Sequence, residues 1–165
     1  MIQIIKAKGG LLDQAEQLVR EVFPWMSISE RMSFRLYKKP HTRLTKLLLR
    51  MGGISSLSSM WVAVNENNEV CGTTGLYENT KDNDEAVWLS WFCVSPKLRG
   101  QGIGKQLLEF SISMAKNSGK KFLRLYTSDD ANEIEAQGLY EKYGLKIVKE
   151  KQHTSHKTIY RELKL

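Results

Sequence analysis

Residues 88–94 carry Trp88, Leu89, Trp91, Phe92, Cys93 and Val94, apolar groups on both sides of a period-two pattern. That pattern predicts a central strand covered on both faces. Ser95 and Pro96 end it, because proline has no amide hydrogen for a sheet ladder. Beyond Gly102 the spacing changes: Ile103, Leu107, Phe110 and Met114 recur every three or four residues, one face of a helix, with Gly119 as its stop.

The rest of the chain arranges itself around this strand-turn-helix unit. Ile2, Ile4 and Ala7 outline a first strand, and Gly9-Gly10 break it before Leu11, Ala15, Leu18, Val19 and Val22 mark an amphipathic helix closed by Pro24. Ser27 or Ser29 caps a second helical stretch through Ile28, Met32, Leu36 and Tyr37, interrupted at Pro40 and resumed through Leu44, Leu47 and Leu48. Residues 52–59 read as a loop. Residues 60–64 and 70–77 read as strands of an antiparallel hairpin, with polar Asn-Glu-Asn-Asn supplying the turn. Phe122, Leu123 and Leu125 predict another strand, whose neighbours the sequence does not give; a parallel one reached through a right-handed helical crossover is the natural choice. Asp130 or Asn132 caps the next helix, with Glu133 or Glu135 completing a capping box. Ala136, Leu139 and Tyr143 form its buried stripe and Gly144 its end. Residues 145–149 and 158–163 close the chain as two strands around a loop holding His153 and His156.

A chain of 165 residues with 41% hydrophobic and 26% charged residues suits one soluble domain with a sizeable core, and no apolar run approaches membrane-spanning length. The first ten residues are too interrupted for a secretory signal, which makes cytoplasmic residence the expectation. Cys71 and Cys93 lack the spacing of a disulfide framework or metal site. The net charge of +7 concentrates between Arg20 and Arg50, where eight basic residues face Glu21 and Glu30. Phe34 and Tyr37 interleave with them, but no nucleic-acid-binding signature accompanies the run, and a solvated helical face accounts for it.

The chemistry concentrates in Arg99-Gly100-Gln101-Gly102-Ile103-Gly104. Glycines let a bulky anion approach the backbone, and the first amides of the following helix, with its positive dipole end, make a phosphate site to which Arg99 and Lys105 add full charges. A Walker loop is excluded because Arg99 replaces its first glycine and Gln106 follows Lys105; a dinucleotide fingerprint is excluded because Leu107 replaces its third glycine.

What remains, RxxGxG preceded by Val94-Ser95-Pro96, resembles the pyrophosphate-binding signature of the GNAT superfamily of acyl-CoA N-acyltransferases. The resemblance implies a mixed α/β (α+β) fold, a central sheet of about seven strands with helices on both faces, splayed between strands four and five. It also implies acetyl-CoA as co-substrate, with no metal. Phe92, Cys93 and Val94 would line the pantetheine arm, and Arg99, Gly100, Gln101, Gly102, Ile103, Gly104 and Lys105 would hold the diphosphate. The segment from Ala136 to Leu145 resembles the family's AxxLYxxxGF helix and makes Tyr140 the general acid toward the CoA sulfur. Here Glu133 stands where the family often has Asn, and Asn132, one position away, is the candidate pantetheine contact. The fourth strand lacks the glutamate many members use as base, which leaves Glu85, with Glu78 and the loop histidines behind it.

These readings together imply direct transfer of acetyl to a primary amine of a small molecule or peptide. The basic segment favours an acceptor bearing a carboxylate or phosphate. Two other classes stand beside this one: a non-catalytic acyl-CoA sensor, and a basic nucleic-acid module, which the absent signatures disfavour. No membrane partner is implied, and a homodimer is left open.

Overall fold

The structure, a computed structural model, describes residues 1–24, 26, 36, 37 and 42–165. The expected helix through Ile28 and Met32, its caps Ser27 and Ser29, and the break at Pro40 lie outside the described residues. The described elements are β1 (Gln3–Lys6), α1 (Gly10–Val22), α2 (Arg43–Met51), β2 (Ile54–Val64), β3 (Val70–Asn79) and β4 (Ala86–Val94). A 3-10 turn (Pro96–Leu98) then leads to α3 (Ile103–Asn117), β5 (Phe122–Ser128), α4 (Ala131–Lys142), β6 (Lys146–Gln152) and β7 (Lys157–Lys164).

Among the described residues seven strands form one sheet in the order β1-β2-β3-β4-β5-β7-β6, antiparallel except for the parallel β4–β5 contact. Alternation along β2 sorts the core. Met60, Val62 and Val64 pack with Leu12, Ala15, Leu18 and Val19 of α1. Trp61 and Ala63 point to the other face, where Ile103, Leu107, Leu108 and Ala115 of α3 pack, joined by Tyr140 of α4. The mixed α/β sheet with helices on both faces is therefore as expected.

The local departures have physical causes. Residues 54–59, expected as loop, extend β2, because Ile54 and Leu57 find register partners in Asn79 and Tyr77 that outweigh the poor strand preference of a serine run. Leu44, Leu47 and Leu48, the expected stripe of α2, are half exposed or more, and Leu49 is its buried residue. On α4 only Tyr140 is fully buried; Ala136, Leu139 and, just past its end, Tyr143 are half-buried against the same core, and Tyr143 donates its hydroxyl to Glu109 at 2.6 Å. The capping box does not form: Asp130 is the N-cap without a side-chain bond, and the Glu133 carboxylate accepts instead from Thr127 Oγ1 at 2.8 Å and from the Ser128 amide.

Candidate active site

The site begins with a failure of pairing. β4 and β5 share three register pairs, Ala86 with Phe122, Val87 with Leu123 and Trp88 with Arg124, and then part. Their edges bound a cleft of about 1000 Å³. Unpaired strand groups demand partners from water or a ligand. At the far lip the Ser95 amide donates to the Cys71 carbonyl of the β3 side at 2.9 Å. The period of two then turns the Val94 amide the other way, toward the gap.

A bulge on β4 sets which side chains meet there. Between Thr73 paired with Cys93 and Gly75 paired with Ser90, β4 carries one extra residue, and Trp91 takes φ = 48°, the left-handed region that is rare for a bulky side chain. The inserted residue shifts the pleat. Val87 and Leu89 face α3 and α4, Phe92 rejoins that face, and Cys93 packs on the α1 side. Buried Thr73 holds the bulge, its hydroxyl donating to the Trp91 carbonyl and lying 3.2 Å from Cys93 Sγ. Burial pushes the Cys93 thiol up to about 11, outweighing the downward effect of its Thr73 hydrogen bond, so the sulfur stays protonated at neutral pH and is no nucleophile.

At one end of the cleft lies the glycine turn. Gly100 and Gly102 have φ of 75° and 78°, and a Cβ on either would meet nothing within 4 Å, so backbone conformation rather than packing calls for glycine there. Gly102 is the N-cap of α3 without a side-chain cap, and the Gln106 amide donates to the Gly102 carbonyl at 3.1 Å. The amides of Ile103, Gly104 and Lys105 thus precede the helical ladder and suit an anion. Arg99 and Lys105 line the cleft, Arg99 bonded to Glu135 at 3.2 Å and Lys105 4.0 Å from Glu109. Ile103 is buried in the core, so its amide and not its side chain is on offer. Gln101 is exposed and does not line the cleft.

Tyr140 reaches the cleft from α4, its ring 5.8 Å from that of Phe92. It is 5% exposed. Burial pushes its phenol well above the ordinary tyrosine range, Glu133 and Cys93 push the same way, and Arg161 opposes them. Among the described residues no side chain or carbonyl bonds its hydroxyl, and no buried polar atom is left unmet, which leaves the hydroxyl open to the cleft it lines. Asn132 also lines the cleft, but its amide donates to the Val22 carbonyl at 3.1 Å, tying α4 to the end of α1 across the opening.

The structure does not bring Glu85 to this site. It sits before β4 at the paired end of the two strands, its carboxylate 2.8 Å from Arg124 and its carbonyl accepting from Lys121 and Phe122. Eight residues of strand, roughly 26 Å at 3.3 Å per residue, separate it from Cys93. Glu78, 3.4 Å from Lys120, is likewise absent from the lining. His156 does line the cleft, stacked on His153 at 4.6 Å. Tyr77, Asn79, Ser90 and Tyr126 also line the cleft, with Leu48, Leu49 and Leu57 of α2 and β2. Arg43, Lys46 and Arg50 are exposed and line none of it. Sequence reading missed Thr73, Gln137 and Arg161: a strand threonine, a helix glutamine and a basic residue near the end carry no motif. Among the described residues no helix is long and apolar enough to cross a membrane, and no group of three or more His, Cys, Asp or Glu is placed to hold a metal.

Comparison with known proteins agrees with this geometry. A sequence model of the acetyltransferase (GNAT) domain matches residues 56–147, more than half of the chain. Peptidyl-lysine N-acetyltransferase YjaB of Salmonella typhimurium is 32% identical over 88 residues, 53% of this chain and 50% of that protein; the chain thus aligns with half the length of this curated relative. Among solved structures, ribosomal-protein-S18-alanine N-acetyltransferase of Escherichia coli superposes with a TM-score of 0.71 at 17% identity, over 99% of this chain and 94% of the other. An aminoglycoside 6'-N-acetyltransferase complexed with coenzyme A gives 0.71 at 17%, over 98% and 96%. The splayed sheet, the glycine turn at the start of α3 and the match across β2 to β6 lead to one conclusion: this chain belongs to the GNAT acetyltransferase family.

Proposed function

We propose that this protein transfers an acetyl group from acetyl-CoA to a primary amine by direct attack, and that the amine is a lysine-type group on an alkyl stem. The observation that carries the reading is the parting of β4 from β5 directly beside the uncapped start of α3. The diphosphate of the donor suits the amides of Ile103, Gly104 and Lys105 with the charges of Arg99 and Lys105. The freed edge of β4 at Cys93 and Val94 offers backbone groups to the arm and to the thioester carbonyl. As the amine nitrogen bonds to the acetyl carbon, the carbon–sulfur bond breaks and the leaving thiolate takes the Tyr140 phenolic proton, which water restores. The proton shed by the amine passes to water in the open cleft, where His156 is the lining imidazole to receive it.

The acceptor reading departs from the carboxylate or phosphate expected of the basic run. The described cations of that run face solvent, and part of the cleft lining, Tyr77, Tyr126, Leu48, Leu49 and Leu57, is aromatic or aliphatic and suited to a methylene stem. The relative's name, a peptidyl-lysine N-acetyltransferase, supports the same class.

Thermal unfolding with and without acetyl-CoA tests donor binding: at 100 times its dissociation constant it adds about 2.7 kcal/mol. For a chain of this size that is a rise of roughly 5–10 °C. A free-thiol assay over lysine peptides, polyamines and amino acids then tests transfer. No thermal shift overturns the reading; a shift with no thiol from any amine replaces it with an acyl-CoA sensor.

A further inference from the structure

Ala136 and Leu139 of α4 are only half-buried against the core. Tyr140 is the helix's one fully buried residue, yet a phenol that delivers a proton must stay within hydrogen-bond reach of its target. The restraint comes from β7. Arg161 is 2% exposed, and its guanidinium donates from Nε to Gln137 Oε1, from Nη1 to the Leu145 carbonyl and from Nη2 to Glu141 Oε1, each at 2.9 Å. These partners lie three residues before, five after and one after Tyr140, so the fork brackets the turn that bears the phenol.

Gln137 passes the restraint to β5. Its Nε2 donates to the Ser128 carbonyl at 3.1 Å and to Thr127 Oγ1 at 3.3 Å. Thr127 Oγ1 in turn donates to the Glu133 carboxylate at 2.8 Å, which also accepts the Ser128 amide. A continuous polar chain therefore runs from β7 through α4 to the lip of the cleft, where Thr127, Ser128 and Glu133 are lining residues. Burying a guanidinium is costly unless its donors are met in good geometry, and Arg supplies a rigid planar fork where Lys supplies a single point charge. Hydrophobic packing alone would hold α4 to the sheet; three directed bonds spread from Gln137 to Leu145 fix where Tyr140 between them points.

We propose that Arg161 is a positioning residue for the transfer, holding Tyr140 in place on the cleft lining through Gln137, Glu141 and the Leu145 carbonyl. The inference rests on Tyr140 being the proton donor. Its guanidinium acts on the same turn by charge as well: it is the cation that opposes Glu133 at the phenol.

The test is a cycle of full-length variants, Arg161→Met, Arg161→Lys, Tyr140→Phe and the double variant Tyr140→Phe with Arg161→Met. Thiol release gives kcat and KM, and thermal shift gives acetyl-CoA binding. Arg161→Met is expected to lower kcat about 10- to 100-fold with the acetyl-CoA KM within about threefold, because misplacement of the donor costs rate and not donor binding. Arg161→Lys, which keeps the charge and loses the fork, falls between. On the Tyr140→Phe background Arg161→Met is expected to lower kcat by less than about threefold, since nothing is left to position. Equal factors on both backgrounds overturn the proposal. A Tyr140→Phe variant with parental kcat removes the proton-donor reading itself, a distinct result seen before Arg161 is altered. Should Arg161→Met fail to fold, Gln137→Met and Glu141→Met each remove one arm, Glu141 being largely exposed. Each is expected to lower kcat roughly three- to tenfold only when Tyr140 is present, and a loss independent of Tyr140, or no loss, overturns the proposal.

Discussion

The cleft exists because β4 and β5 diverge from a hinge of three register pairs, and Arg124 is the clasp of that hinge. Its Nε lies 2.7 Å from Glu162 of β7, Nη1 2.6 Å from Asp82 of the β3–β4 turn and Nη2 2.8 Å from Glu85. Asp82 also accepts from Trp88 Nε1 at 3.0 Å, which ties the turn to β4. Arg124→Met keeps most of the stem and removes the fork, leaving three carboxylates facing one another. Breaking a buried ion network by removing one partner costs about 3–5 kcal/mol. Arg124 is 20% exposed and Glu85 39%, so water screens part of this, and a loss of roughly 2–3 kcal/mol is expected. For a chain of this size each kcal/mol is about 2–4 °C, giving a fall in Tm of roughly 5–10 °C by circular dichroism. Salt screens the residual repulsion, so the deficit shrinks in about 1 M NaCl. The acetyl-CoA KM rises as the hinge loosens. A Tm within about 1 °C of the parent, or a deficit indifferent to salt, refutes the reasoning.

Other outcomes follow from the same structure. Gly102→Ala forces a side chain into the left-handed region and is expected to cost about 1–2 kcal/mol in thermal unfolding. Gly104→Ala meets Val94 and Leu139 at 3.6 and 3.7 Å, ordinary contact inside a helix, and leaves stability unchanged or raises it by about 0.5–1 kcal/mol. Thr73→Val removes the donor that holds the Trp91 bulge and is expected to cost about 1–2 kcal/mol and raise the acetyl-CoA KM. Burial raises Cys93 to about 11 and Tyr37 to about 12, so both bind their protons more tightly folded than unfolded. Their stability is present in full below roughly pH 9 and is lost as pH climbs through 11 and 12, a decline that Cys93→Ala makes shallower in alkaline melts. The same variant keeps its turnover, because a protonated thiol takes no part in direct transfer.

Spacing alone revealed the strand-turn-helix unit, since a period-two apolar run, a proline and a glycine pair each impose a local backbone conformation whatever surrounds them. Gly100 and Gly102 adopt the positive φ that their place in the turn requires, and α1 and α3 run where their apolar faces predicted. Local preference said nothing of which strands part, of the extra residue at Trp91, or of a serine run recruited into β2 by Asn79 and Tyr77. It also placed Glu85 beside the fourth strand without saying at which end of the cleft. Those facts depend on partners dozens of residues away. Arg161 makes the point most plainly: in sequence it is a basic residue within the closing strand expected over 158–163, and only the closing of β7 against β5 buries its guanidinium beneath the helix that carries Tyr140.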